Sequence, residues 1–315
     1  MVNRIIMKKT LYLSLIAILI SFTGNAQSKT FETEKGKIVY HLNQGRFNDL
    51  YTSYYFNGNK KAEGHFADNT RVGKWIIWDE NGNVIVEREY ESSFTFSQNI
   101  PKNEDIATYN LERNEDGVIP FFFIKEENVD WLQRVWRIIP VENNPVLFDD
   151  NRVFQLIQES LIEGEINGYS PETDIFKEEL IPSDIDFTSN EVLSYKIKEE
   201  SFFDNKRMVM ESRILGICPV VLDRETGKPK ELVWIYYPQF RKLLARLPVP
   251  DGQVPDYIRS AEDVFFYRYF SSQIVKVSNM NDLYIEDYKS DSEIEEEATK
   301  FELRLIEREH EFWVK

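Results

Sequence analysis

The dipeptide Asn57-Gly58 recurs 24 residues later as Asn81-Gly82, and each copy is flanked by aromatic residues alternating with polar ones. No other feature limits the fold as much. Asn and Gly accept the positive φ of a tight β connection, so the two copies predict two-residue hairpin turns at a fixed spacing. Tyr51, Tyr54, Phe66, Trp75, Trp78 and Tyr90 lie on either side of those turns. Alternation of this kind marks half-buried strands, and a fixed internal period marks stacked copies of one unit. Residues 38–90 therefore read as an antiparallel β meander whose aromatics form a thin core of their own.

The polar stretch that follows, with Pro101 and two acidic clusters, reads as a linker over 96–117. Beyond it the chain mixes helices and strands. The longest apolar runs, Met208 to Val221 and Leu232 to Tyr237, bracket the wholly polar connector Asp223–Lys230 and predict a central antiparallel hairpin ended by Pro238. Asp130 to Ile139 reads as a helical turn running into a strand. Leu193–Lys198 reads as a strand, with Glu199–Asp204 turning the chain toward the hairpin. Asp149-Asp150-Asn151 is placed to cap a helix that Gly164 stops, with Val153, Phe154, Ile157 and Leu161 on its apolar stripe. Short helices are expected over 240–247 and, behind a Ser260–Asp263 capping box, over 264–270. Gln273–Val277 reads as a short strand.

A C-terminal helix is expected from Ser292 to Trp313, capped by Ser292 and Glu295. Its stripe Ile294, Ala298, Phe301, Leu305 and Phe312 suits either its own domain or a partner, and its own domain is the expectation.

Composition narrows the function. Lys and Arg total 38 against 54 Asp and Glu, a net charge of −16, so the basic footprint of a nucleic-acid binder is missing. Arg4, Lys8 and Lys9 precede the apolar run Leu11–Ile20, and Gly24 and Ala26 follow at cleavage spacing, which predicts an export signal over residues 1–26. Met7-Lys8-Lys9 is itself a complete n-region, so a start at Met1 and a start at Met7 stay open as alternatives. The mature chain then carries 35 basic and 54 acidic residues. Its one cysteine, Cys218, sits in an apolar run and reads as a core residue; no cysteine follows the signal to accept a lipid.

Catalysis finds no foothold in the sequence. His41, His65 and His310 lie in separate regions without a partner at metal-ligand spacing. No phosphate-binding glycine loop, nucleophile elbow or Cys–His pair is present. The expectation is a non-enzyme without cofactor or metal.

Two resemblances extend this reading. Asn57-Gly58, Gly64-His65-Phe66, Gly73-Lys74-Trp75 and Asn81-Gly82 resemble the bacterial variant of the MORN-type repeat, which implies an interaction or spacer unit over residues 27–95 and no activity. Asp130-Trp131-Leu132-Gln133-Arg134-Val135-Trp136-Arg137, Gly164 to Tyr169, Phe202 to Pro219, Trp234 to Pro238 and Phe270-Ser271-Ser272-Gln273-Ile274 together resemble the GldN/PorN family over 118–315. That resemblance implies a periplasmic component of the type IX secretion and gliding-motility machinery of Bacteroidota, joined to a GldK- or PorK-type lipoprotein in a ring beneath the outer membrane. The β repeats depart from the family pattern. They leave open an alternative, a soluble periplasmic module binding protein or glycan through the repeats.

The expected fold is thus α+β, a small antiparallel β-repeat domain followed by a mixed domain with a central hairpin and a C-terminal helix. Trp131, Arg134, Trp136 and Trp313 are the candidate partner contacts, because aromatics and arginines dominate interface energetics. Core packing explains the tryptophans equally well.

Overall fold

Two antiparallel sheets form where the sequence alternates. The computed structural model describes residues 27–92, 95–98, 111–187, 191–250 and 252–314. The expected export signal, residues 1–26, and most of the expected linker lie outside them. The N-terminal sheet comprises β1 (Gln27–Thr33), β2 (Gly36–Asn43), β3 (Arg46–Phe47), β4 (Asp49–Tyr55), β5 (Lys60–Ala67), β6 (Thr70–Trp78), β7 (Val84–Ser92) and β8 (Thr95–Gln98). Its order is β1-β2-β4-β5-β6-β7-β8, with β3 on β2. Alternation sends Ile38, Tyr40, Tyr51, Ala62, Phe66, Trp75, Ile77 and Val86 to one buried face. Lys37, Tyr54, His65, Lys74 and Trp78 stay exposed or half-buried on the other. Gly64 lies flat beneath Trp75, where a Cβ would come within 2.0 Å of the indole.

The Asn-Gly turns differ from expectation. Gly58 N–H donates to Tyr55 O (3.0 Å) and Tyr55 N–H to Asn59 O (2.9 Å), and the bonds recur at Asp79, Gly82 and Asn83. These are three-residue loops, in which only the glycines, Gly58 (φ 85°) and Gly82 (φ 86°), take positive φ. Asn57 works through its side chain instead, Nδ2 donating to Glu80 O (2.9 Å) and so joining the two loops. The two-residue turns with both residues at positive φ are Gln44-Gly45 (49°, 73°) and Asp68-Asn69 (48°, 70°). They are also 24 residues apart, at the opposite end of the meander.

The second sheet comprises β9 (Val129–Pro140), β10 (Gly168–Tyr169), β11 (Glu179–Leu180), β12 (Val192–Asp204), β13 (Val209–Leu222), β14 (Pro229–Glu231), β15 (Trp234–Tyr236) and β16 (Gln273–Val277). Its order is β11-β10-β15-β13-β12-β9-β16, with β14 on β13. The helices are α1 (Pro145–Phe148), α2 (Arg152–Ile162), α3 (Tyr237–Leu244), α4 (Ala261–Phe266) and α5 (Asp291–Trp313). Tyr195, Ile197 and Ile217 of one sheet face join Phe154, Ile157, Phe240, Leu243, Val264 and Phe265 of α2, α3 and α4 in the largest core. No helix among the described residues is long and apolar enough to cross a membrane.

The central hairpin forms, with Ile217 opposite Ile235, although its second strand is broken at Leu232-Val233. The longer partnership is β12 with β13. Glu199–Asp204 is therefore strand and not turn, because its polar residues are paired inside the protein. Ser201 and Ser212, opposite each other, share a hydroxyl hydrogen bond of 2.7 Å. Asp130 to Ile139 is strand throughout, the helical turn lying earlier at Glu126–Asn128. Asn151 is the N-cap of α2 by position but makes no side-chain cap bond. The Ser260–Asp263 capping box is present, while α4 stops at Phe266 instead of Phe270 as the chain turns left-handed at Arg268 (φ 55°). α5 starts earlier than expected, its capping box being Ser290 with Glu293. Residues 111–117, the described end of the expected linker, are held to α4 by Arg113 Nη1 on Asp263 Oδ1 (2.7 Å).

Candidate functional site

The ionisable and aromatic groups that sequence alone left unassigned converge where the two sheets meet. The convergence starts with backbone. The segment Arg268–Ser271, between α4 and β16, is fixed from below by Asn144, which accepts from Ser271 N–H (2.7 Å) and donates to Ser271 O (2.9 Å). On this platform sit the two left-handed turns of the N-terminal sheet. Asn69 Nδ2 donates to the carbonyls of Arg268 and Phe270 (3.1 and 3.0 Å), and Asn69 Oδ1 accepts from Phe47 N–H (2.8 Å). Arg46 pairs with Asp68 (2.8 Å) and lies 4.4 Å over the ring of Tyr269. Gly45 approaches so closely that a Cβ would fall 2.0 Å from Ser271 Oγ.

The second element is α5, which serves both sheets. Ile294, Ala298, Phe301 and Leu305 pack on Val135, Ile274 and Val277 of β9 and β16. One step round the helix, Leu303, Ile306, Phe312 and Trp313 complete the aromatic core of the N-terminal sheet. Phe312 stacks on Phe203 of β12 at 4.3 Å, and Trp313, with no exposed surface, meets Trp75 edge-on at 6.3 Å. Glu307 accepts from Tyr51 Oη (2.8 Å) and pairs with Lys61. His310 lies between the rings of Tyr51, Trp75 and Trp313, its Nδ1 3.6 Å from Glu307. Burial holds the imidazole below its ordinary value, against the pull of Glu307.

Between the cores runs a buried ion network. Glu199 of β12 accepts from Arg137 Nε (2.5 Å) and Arg268 Nη1 (2.8 Å), and Arg137 also pairs with Glu302 of α5. Burial raises the Glu199 carboxyl, yet the two guanidiniums outweigh it and bring the group down to about 2. One carboxylate thereby ties the central strand to the platform and, through Arg137, to α5.

A family model described as gliding motility associated protein GldN matches residues 124–314, more than half of the chain. The chain belongs to the GldN family. No curated protein matches it. The GldN region supplies the platform, the ion network and α5; the N-terminal sheet, outside the match, supplies the two turns and the aromatic face.

The four residues singled out by sequence do not come together. Arg134 is exposed on β9 and pairs with Glu200 (2.9 Å). Trp131 is half-buried and packs into the N-terminal core. Trp136 and Trp313 are enclosed, so core packing accounts for both. Trp136 lies on the sheet face opposite α5, where its Nε1 donates to Asp174 (2.5 Å), the same carboxylate that pairs with Lys198 (2.9 Å). The Cys218 thiol is buried there and pushed up by desolvation.

Sequence reading missed the junction residues Gly45, Asn69, Glu199, Arg268 and the second stripe of α5. The stripe has a signal, since Leu303, Ile306, His310 and Trp313 follow a 3-4-3 spacing. His310 and the glutamates beside it disguised the face as solvated.

Proposed function

We propose that the chain is a non-catalytic structural component of the type IX secretion and gliding-motility machinery. In this reading it is exported to the periplasm and joins a ring with a lipoprotein of the GldK or PorK type under the outer membrane. The observation that carries the proposal is the GldN family match over residues 124–314. The chemistry of the junction agrees with it. The strongly shifted acids have structural partners: Glu199 is held down by Arg268 and Arg137, and Glu307 by His310 on its own helix and by Lys61 of β5.

We read residues 27–95 as MORN-type repeats serving as a rigid extension. Support comes from the 24-residue spacing of two loops of like geometry, and from Gly64 seated under Trp75. Arg134, with Leu132 exposed two residues before it on the same face of β9, is our first choice for a partner contact. The alternative, a binding module acting through the repeats, draws on the outer face of the N-terminal sheet, where Tyr54 and Trp78 remain half-buried.

A crosslinked pull-down of the tagged chain from its native envelope tests the proposal. Recovery of the ring lipoprotein, and loss of secreted cargo in a deletion strain, are the expected results. An intact secretome and other envelope proteins in place of the lipoprotein would favour the binding module.

A further inference from the structure

A cavity of about 290 Å³ lies where the N-terminal sheet, β13 and α5 meet. Rings from both sides of the junction line it. Phe47 and Phe66 of the N-terminal sheet stand 5.4 Å apart, Phe121 and Phe266 stack at 6.0 Å, and Phe270 joins them from the segment between α4 and β16. Close-packed interiors leave few voids of this size. The space exceeds the roughly 150 Å³ of an apolar cavity that takes up benzene. Gly45, Thr70 and Ser272 belong to the lining and retain exposed surface, which marks the mouth.

The charge of the lining is balanced within the protein. Arg71 pairs with Glu309 (2.7 Å) and lies over the rings of Phe66, Trp75 and Trp313, with its Nε and Nη2 buried. Arg137 and Arg268 hold Glu199, Arg137 also pairs with Glu302, and Arg207 holds Asp204 and Glu211. Each charged side chain of the lining thus has an opposite partner. An ionised ligand would find no counter-charge to spare, and a charge buried without one is unfavourable. Thr70 and Ser272 at the mouth add only neutral hydroxyls. What the cavity offers is aromatic surface, which favours offset or edge-on contact with a further ring.

We propose that this cavity binds a small uncharged aromatic molecule, its ring among the phenylalanines from the two sides of the junction. An aliphatic ligand of the same size would gain the burial without the ring contacts. A charged one would lose its hydration without a partner in return. The inference goes beyond the assembly proposed above and does not depend on it.

Two dyes that fluoresce in apolar surroundings read the preference. N-phenyl-1-naphthylamine is uncharged, and 8-anilinonaphthalene-1-sulfonate is the same ring system carrying a sulfonate. Titration of the purified chain is expected to show one saturable site for the uncharged dye, at least about tenfold tighter than for the sulfonate, since the buried anion would lack a partner. Ser272→Trp and Thr70→Trp each place an indole in the mouth and are expected to weaken binding of the uncharged dye at least about tenfold, because the added ring takes up the space. Each variant is read where it keeps the cooperative melting of the unaltered chain. Where neither does, the ratio of the two dyes decides alone. No saturable binding of the uncharged dye, equal or tighter binding of the sulfonate, or unchanged binding in the folded variants overturns the proposal.

Discussion

The two sheets are built on the same alternation but close their cores differently. The second sheet buries one face under α2, α3 and α4, elements that lie beside its strands in sequence and give it a core of its own. Among the described residues, the N-terminal sheet has no helix nearby in sequence. Its aromatic face is completed by Leu303, Ile306, Phe312 and Trp313, more than 200 residues away. A single-layer sheet cannot bury enough surface alone, so its stability depends on the far end of the chain. The repeat-bearing region is accordingly an extension of the GldN region and not a bead on a string.

Removal of α5 by a stop after Ser290 should break the comparison most visibly. The expected outcome in hydrogen exchange is loss of protection across β4, β5 and β6, with the β12–β13 ladder beside the helices retaining more. Equal retention in both sheets would show the N-terminal core to be self-sufficient.

Single residues sharpen the same contrast. Glu199→Ala leaves Arg137 and Arg268 facing each other without their shared carboxylate, and is expected to cost about 3–5 kcal/mol in chemical denaturation. Trp313→Ala empties the centre of the N-terminal core at a similar cost of about 3–5 kcal/mol. It should weaken β4–β6 before the second sheet. Asn69→Ala removes two bonds to the platform and strains a left-handed position (φ 70°), for a loss of about 1–3 kcal/mol. Asn69→Gly keeps the turn relaxed, so its smaller loss measures the side chain's hydrogen bonds alone, the two to the platform and the one from Phe47 N–H.

Titration gives the smallest effects. Glu199 is held at about 2 in the fold against 4.5 ordinarily, so its contribution is complete above about pH 4.5 and is lost as pH falls through about 2. His310 is held below 6.5, so the unfolded chain takes up a proton that the folded chain resists, and stability declines as pH drops below 6.5. His310→Gln should flatten the slope of denaturation midpoint against pH in that window, leaving the acid limb due to Glu199.

Much of the chain was legible because local patterns stated it. The meander, the Ser260–Asp263 cap, β16 and the central hairpin each follow from residues within a few positions of one another. The misreadings of buried charge share one cause. Glu199-Glu200-Ser201 looked like a turn because charge in sequence signals solvent, yet these residues lie mid-strand, with Glu199 fully buried and neutralised by arginines distant in sequence. His310 and Glu307 hid a buried helix face in the same way. Asn57 and Asn81 were rightly placed at loops but given the wrong geometry, since Asn-Gly is compatible with more than one hairpin.

The sequence by itself determined the meander, the central hairpin, α2 and the family, because periodicity, capping and turn chemistry act over a few residues. Only the tertiary structure decided which polar residues are inside, which face of α5 meets which sheet, and that Gly45 and Asn69 seat one sheet on the other. Those outcomes depend on partners far apart in the chain, and a buried charge carries no local mark of the opposite charge that makes its burial tolerable.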